Sequence, residues 1–169
     1  MVPGTIAIFD AELAGDHVTL AALLEVTTID EWPPAGGEHD AGAVTHFRDA
    51  HLVEPSVSGW TVYYVCLEDT LVGSAGFIGP PREGKAEIGY SICQKYRRRG
   101  LATGAVSALI ERAATAGLHT LTAQTGRSNA ASIRVLEHNG FVRDGLDSDR
   151  ELLFVRDLAP GTKPSRNAR

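Results

Sequence analysis

Only two of the 169 residues are cysteine, Cys66 and Cys93. They lie far apart in apolar stretches, so neither a disulfide framework nor a cysteine metal site is expected, and free thiols are. No apolar run approaches the ~20 residues that cross a bilayer. The opening Met1-Val2-Pro3-Gly4 lacks the basic and apolar regions of a secretory signal, which makes cytoplasm the expected compartment. Positive charge is short as well: 16 Lys and Arg face 21 Asp and Glu, for a net charge of -5. A nucleic acid would meet net repulsion outside any local basic patch, whereas a cationic amine suits an acidic protein. There is no internal repeat. The Gly-Lys-Ser/Thr ending of a nucleotide-triphosphate loop and the three spaced glycines of a dinucleotide fingerprint are also missing.

What remains is ordinary for one globular domain, with 43% hydrophobic and 22% charged residues. Thr5 to Phe9 reads as a short strand. Asp16 caps a helix carrying Leu20, Leu23 and Leu24, and a second helix covers Ala41 to Leu52. Trp60–Leu67, Leu71–Ile78 and Ala86–Ile92 read as an antiparallel meander joined by short turns. On the last of these, Ala86, Ile88, Tyr90 and Ile92 face one way, and Glu87, Gly89, Ser91 and Cys93 the other. The period then changes. Leu101–Ala116 is an amphipathic helix ended by Gly117, Leu121–Thr125 a strand, Asn129–Asn139 a helix ended by Gly140, and strand returns from Phe141 to Val155. The predicted fold class is α/β (α+β), a single mixed, mostly antiparallel sheet flanked by helices. The predicted domain covers 1–157, with a disordered tail over 158–169.

The chemistry concentrates in Arg97-Arg98-Arg99-Gly100-Leu101-Ala102-Thr103, between a strand and a helix. The first N–H groups of a helix have no internal partner, and the helix dipole adds positive charge there, so such a turn binds phosphate. Gly100 allows close approach and Ala102 keeps it unobstructed. A solvated basic turn is the simpler reading, but arginines at a helix N-terminus oppose the dipole, which favours an anionic ligand.

Arg97-x-x-Gly100-x-Ala102 resembles the acetyl-CoA signature of the GNAT N-acetyltransferases. With Glu87-Ile88-Gly89-Tyr90 before it and Asn129-x-Ala131-Ser132 and Gly140-Phe141 after it, the chain looks like the branch containing the ribosomal-protein-alanine acetyltransferases. The resemblance is close from Leu71 to Val142. It implies that the strands around Ala86–Ile92 and Leu121–Thr125 splay apart to admit the pantetheine arm. It also implies that backbone groups near Ile92 and Cys93 meet that arm, and that an N–H there polarises the thioester carbonyl. Arg97, Arg98, Arg99, Gly100, Leu101, Ala102 and Thr103 would form the pyrophosphate loop, and Asn129 would bond the pantetheine. The implied reaction is direct transfer from acetyl-CoA to a primary amine, either a protein N-terminus or a small molecule, without a metal.

That reaction needs a neutral amine and a proton for the thiolate. Glu87 is the candidate base; the alternative is a structural or exposed carboxylate. Relatives put a tyrosine where this chain has Leu136, which leaves Ser132 as the candidate acid and cofactor contact. His138 is another donor, and Ser132 could instead only bond backbone. Tyr90, facing away from Glu87, reads as core; Trp32 and Trp60 read as core or lid packing, with a wall of the acceptor pocket as the alternative. Residues 32–40 border the expected substrate entrance. A catalytically silent acetyl-CoA sensor and an aminoacyl-tRNA acetylating toxin stay open as other functions, and a homodimer is compatible with the chain.

Overall fold

The computed structural model describes residues 1–35, 39–146 and 151–158. Within them one sheet holds β1 (Val2–Pro3), β2 (Val62–Leu67), β3 (Thr70–Phe77), β4 (Lys85–Ile92), β5 (Thr120–Thr125), β6 (Val142–Leu146) and β7 (Leu152–Asp157). The strand order is β1-β2-β3-β4-β5-β7-β6. Every neighbouring pair is antiparallel except β4 and β5. A parallel pair needs a crossover, and α4 (Leu101–Thr115) supplies it. This is the mixed, mostly antiparallel sheet expected from the sequence.

The alternation of β4 sorts the molecule into two faces. Ala86, Ile88 and Ile92 are buried with Val72, Ala75 and Phe77 of β3 and with Ala105, Val106, Leu109 and Ala113 of α4. α5 (Ala130–His138) adds Leu136 to the same core. On the opposite face, Val62 and Tyr64 of β2 pack against α1 (Ile6–Leu13), α2 (His17–Leu24) and α3 (Ala41–Val53) through Phe9, Leu20, Leu24, Val44 and Phe47. Burying each such side chain contributes roughly 1.5–3 kcal/mol.

One predicted strand is a helix. Residues 5–9 are β-rich in composition, but Thr5 Oγ1 accepts from the Ile8 N–H at 3.3 Å and opens α1 instead. Gly4 makes room: a Cβ there would lie 2.3 Å from the Phe9 ring, so the missing side chain lets Phe9 fold under the sheet. The cysteines are free, but Cys66 is only half-buried and Cys93 follows β4. At the other end, Leu158 is buried and its N–H donates to His119 at 2.7 Å. The rest of the expected tail lies outside the described residues.

Candidate active site

β4 pairs with β5 only through Lys85–Thr120, Ala86–Leu121 and Glu87–Thr122, although β4 runs on to Ile92 and β5 to Thr125. Beyond Glu87 the two strands part. The Ile78 N–H donates to Glu87 C=O and the Cys93 N–H to Val72 C=O, both at 2.9 Å. Odd-numbered β4 residues thus turn their backbone toward β3, and alternation turns that of Tyr90 and Ile92 toward the opening. Cys93 has both its polar groups engaged, its Sγ donating to Glu31 C=O at 2.9 Å. Burial, with Glu31 beside it, pushes the Cys93 thiol up to about 11, so it stays a neutral thiol.

The β4 edge leads into the arginine loop. Arg98 and Gly100 both adopt left-handed conformations, with φ of 62° and 76°, and Arg99 between them does not. Such alternation turns successive N–H groups toward one side, the conformation of anion-binding nests. Side chains cap α1, α2, α3 and α5: Thr5, Asp16, Asp40 and Asn129 each accept a first-turn N–H. α4 begins at Gly100 with no side-chain cap, leaving its first N–H groups to another acceptor. A Cβ at Gly100 would meet nothing within 4 Å. The approach is open.

The arginines divide the work. Arg97 bonds neighbouring backbone, donating from Nε to Ile92 C=O at 2.8 Å and from its terminal nitrogen to Ala35 C=O at 3.2 Å. Arg99 lies 5.4 Å over the Tyr96 ring. Arg98 is exposed beside the turn. Residues 30–35 lace onto this loop further: Asp30 pairs with Lys95, and Glu31 accepts from the Lys95 N–H at 2.9 Å.

On the α4 side of the opening, the Tyr90 hydroxyl meets Ser132 Oγ at 2.8 Å and Ser132 C=O at 3.1 Å. Burial pushes the Tyr90 phenol up to about 12 despite the Ser132 hydrogen bond, so it remains a donor at neutral pH. Core packing alone did not anticipate this contact; a tyrosine on a strand about to splay was the available sign. Ser132 also gives its N–H to Asn129 Oδ1 at 3.1 Å, so Asn129 caps α5. Leu136 is fully buried and His138 is exposed in the last turn of α5.

The other face of β4 carries half-buried Glu87 with Gly89 and Ser91, next to Ser74 and Gly76 of β3. Four such small residues cannot fill the space under α3, and a cavity of about 50 Å³ remains, bounded also by His39, Ala43 and Phe47. Behind it Glu12 accepts from Trp32 Nε1 at 2.7 Å, His39 Nε2 at 2.8 Å and the Tyr64 hydroxyl. Burial works against the charged form, but the His39, Tyr64 and Trp32 hydrogen bonds and the His39 charge outweigh it and lower the Glu12 pKa. Trp32 thus ties Glu12 to the segment laced onto the arginine loop, while Trp60 packs edge-on against Phe77 at 4.8 Å. Of the expected entrance, residues 36–38 lie outside the described residues. Sequence reasoning missed Glu12 because the strand expected over Thr5–Phe9 stopped short of it, and His39 because no motif surrounds it.

A parallel junction that parts and runs into an uncapped, glycine-started helix is a place for a phosphate-bearing ligand, and comparison with known proteins supplies the class: an acyltransferase. Residues 11–142 match the Acetyltransferase (GNAT) domain family, and the chain belongs to it. It is 29% identical over 141 residues to the uncharacterized N-acetyltransferase YjdG of Bacillus subtilis (strain 168), covering 81% of this chain and 82% of that one. Among solved structures it resembles the ribosomal-protein-alanine N-acetyltransferase from Brucella melitensis, with a TM-score of 0.61 and 23% identity over 92% of this chain and 98% of that one. Mycobacterium smegmatis RimJ in complex with CoA-disulfide matches with a TM-score of 0.61 and 20% identity over 92% of this chain and 79% of that one. Among the described residues no helix is long and apolar enough to cross a membrane.

Proposed function

We propose that this acyltransferase moves an acetyl group from acetyl-CoA to a primary amine by direct attack. The observation that carries this is the α4 N-terminus, left without a cap and bent by left-handed Arg98 and Gly100 at the end of the open β4 edge. The N–H groups from Arg98 to Thr103, Leu101 and Ala102 included, hold the pyrophosphate, with Arg98 and Arg99 adding charge and Arg97 bracing the turn. The pantetheine arm runs back along β4 from Ile92 toward Ile88, about 13 Å for four steps of ~3.3 Å. The N–H groups of Tyr90 and Ile92 face that arm and are the donors for its amides and for the thioester carbonyl. Cys93 contributes through its place at the turn, since its own N–H belongs to Val72.

On this reading the thioester carbonyl sits at the Tyr90 N–H, within the opening that closes at Glu87. The amine enters from the α3 side, where Glu87, Gly89 and Ser91 face it. Ser132 and Tyr90 stand on the α4 side for the departing sulfur. A phenol near 12 does not hand its proton outright to a thiolate of pKa ~8.5; it stabilises the developing charge by hydrogen bonding through the Ser132 hydroxyl. Asn129 keeps Ser132 in place by capping α5, with its amide nitrogen left for the pantetheine. The test is acetyl-CoA calorimetry followed by thiol release with a panel of amines and short peptides. One site per chain, competed by CoA and hardly by ATP, is expected. Absence of heat with acetyl-CoA removes the reading, and binding without thiol release for any amine turns it into a sensor.

A further inference from the structure

The cavity under α3 is lined by a histidine that no sequence motif marks. We propose that His39 is the base that takes the proton from the acceptor amine, held in the productive tautomer by Glu12. This rests on the acetyl-transfer reading above. Three observations support it.

The first is geometry. His39 lines the cavity together with Gly89, Tyr90 and Ser91 of β4, the stretch that borders the splay. Its ring is fixed on two sides, edge-on to Trp32 at 4.8 Å and to Tyr64 at 5.8 Å. The second is the tautomer. Glu12 can only accept, so the 2.8 Å contact puts a proton on Nε2, and the lone pair of the neutral ring then lies on Nδ1. Among the described residues Nδ1 has no hydrogen-bond partner, and it is not a sealed, unpaired atom either. The third is the state of Glu12. It takes three donors in a buried setting, which favour its ionised form, and its charge stabilises an imidazolium when one forms. The titratable groups facing His39 are Glu12 from α1 and Tyr64 from β2; Glu87 shares the sheet face from β4, and Asp40 beside it is spent on capping α3.

The cavity also limits the acceptor. About 50 Å³ is a third of the ~150 Å³ that takes up a benzene ring. It has room for an unhindered aminomethyl end. In the reaction the ammonium gives one proton to His39 Nδ1. The freed nitrogen lone pair forms the N–C bond to the thioester carbonyl carbon, and the C–S bond breaks with its electron pair on sulfur. The second proton of the nitrogen ends on that thiolate. His39 later returns its proton to water.

The experiment compares, at pH 8, ethylamine with 2,2-difluoroethylamine, which is nearly the same size but mostly neutral there because its fluorines withdraw charge from the nitrogen. His39→Gln should lower kcat/KM for ethylamine on the order of a hundredfold, the low end of general-base effects, and for the fluorinated amine by less than about threefold. Glu12→Gln, a positioning change, should show the same dependence on acceptor basicity at roughly a tenfold loss. Acetyl-CoA affinity of His39→Gln should match the wild type, while its melting temperature falls modestly because the buried Glu12 loses its imidazole partner. An equal loss with both amines, or none, overturns the role of His39 while leaving acetyl transfer standing. If Glu87→Gln shows the basicity dependence and His39→Gln does not, Glu87 is the base. A wild type that binds acetyl-CoA yet acetylates neither amine overturns the assignment of this cavity to an unhindered amine, and His39 with it. A wild type that binds no acetyl-CoA removes the transfer reading itself.

Discussion

The two faces of the sheet are built on different terms. Beneath α4 and α5 the core is apolar nearly throughout, and its polar atoms sit at the rim, where Tyr90 meets Ser132. Beneath α1–α3 a carboxylate, an imidazole and a phenol are buried together behind a cavity. An apolar face tolerates no water and stores no charge, so it serves as a foundation. A face that buries Glu12 and His39 bears a desolvation cost that the hydrogen bonds to Glu12 must outweigh, so it is the face that holds charge.

The largest test of this contrast is Leu109→Ala. Leu109 is 1% exposed in the α4 core, and its loss should cost about 2–5 kcal/mol in urea unfolding, equally at pH 5 and pH 7. A pH-dependent loss would mean the apolar face carries hidden charge. Glu12→Gln should behave in the opposite way. Because the Glu12 pKa lies below its usual 4.5 in the folded chain, its stabilising contribution is fully present above that value and fades as pH falls through the lowered one. The variant should therefore lose roughly 1.5–3 kcal/mol at pH 7, the range of a charged hydrogen bond, and show a flatter acid limb than the wild type. Identical acid limbs would remove the charge from the N-terminal face.

At the seam between the faces, Gly100→Val should weaken acetyl-CoA binding at least tenfold by calorimetry. It should also cost about 1–2 kcal/mol of stability, since φ of 76° strains any side chain even in open space. Unchanged binding would detach the phosphate from this turn. On the α4 side, Tyr90→Phe and Ser132→Ala should each lower kcat about tenfold, and the double variant little more, because one hydrogen-bonded pair is being removed. Fully additive losses in rapid-quench assays would show two independent donors. The smallest effect expected is Asp16→Ala, which removes the cap of α2 and should lower the melting temperature slightly with no change in turnover.

Much of this was legible in the sequence where local rules decide. The meander, the amphipathic α4 and the glycine that starts it follow from period and turn chemistry, and the motif residues fall at one junction. What escaped depends on contacts distant in sequence. Thr5–Phe9 has strand composition, and only the cap on Ile8 and the space beside Gly4 make it a helix. Glu12, Trp32, His39 and Tyr64 meet across up to 52 residues of chain, which no local pattern encodes. Leu136 was noted as a missing hydroxyl, but the hydroxyl that reaches Ser132 comes from Tyr90, 42 residues earlier.

The three residue pairs that join β4 to β5 also bear on how the chain assembles. β2, β3 and β4 meet through short turns, whereas Lys85 finds Thr120 only after a whole helix has been laid down. Closing the longer loop requires more chain entropy before any contact rewards it, so the hairpins form early and this seam late. In native-state hydrogen exchange the amides along the seam should open at lower free energy than those of β3 or α4. A cleft on the last-closed line of a sheet can breathe without unravelling either half.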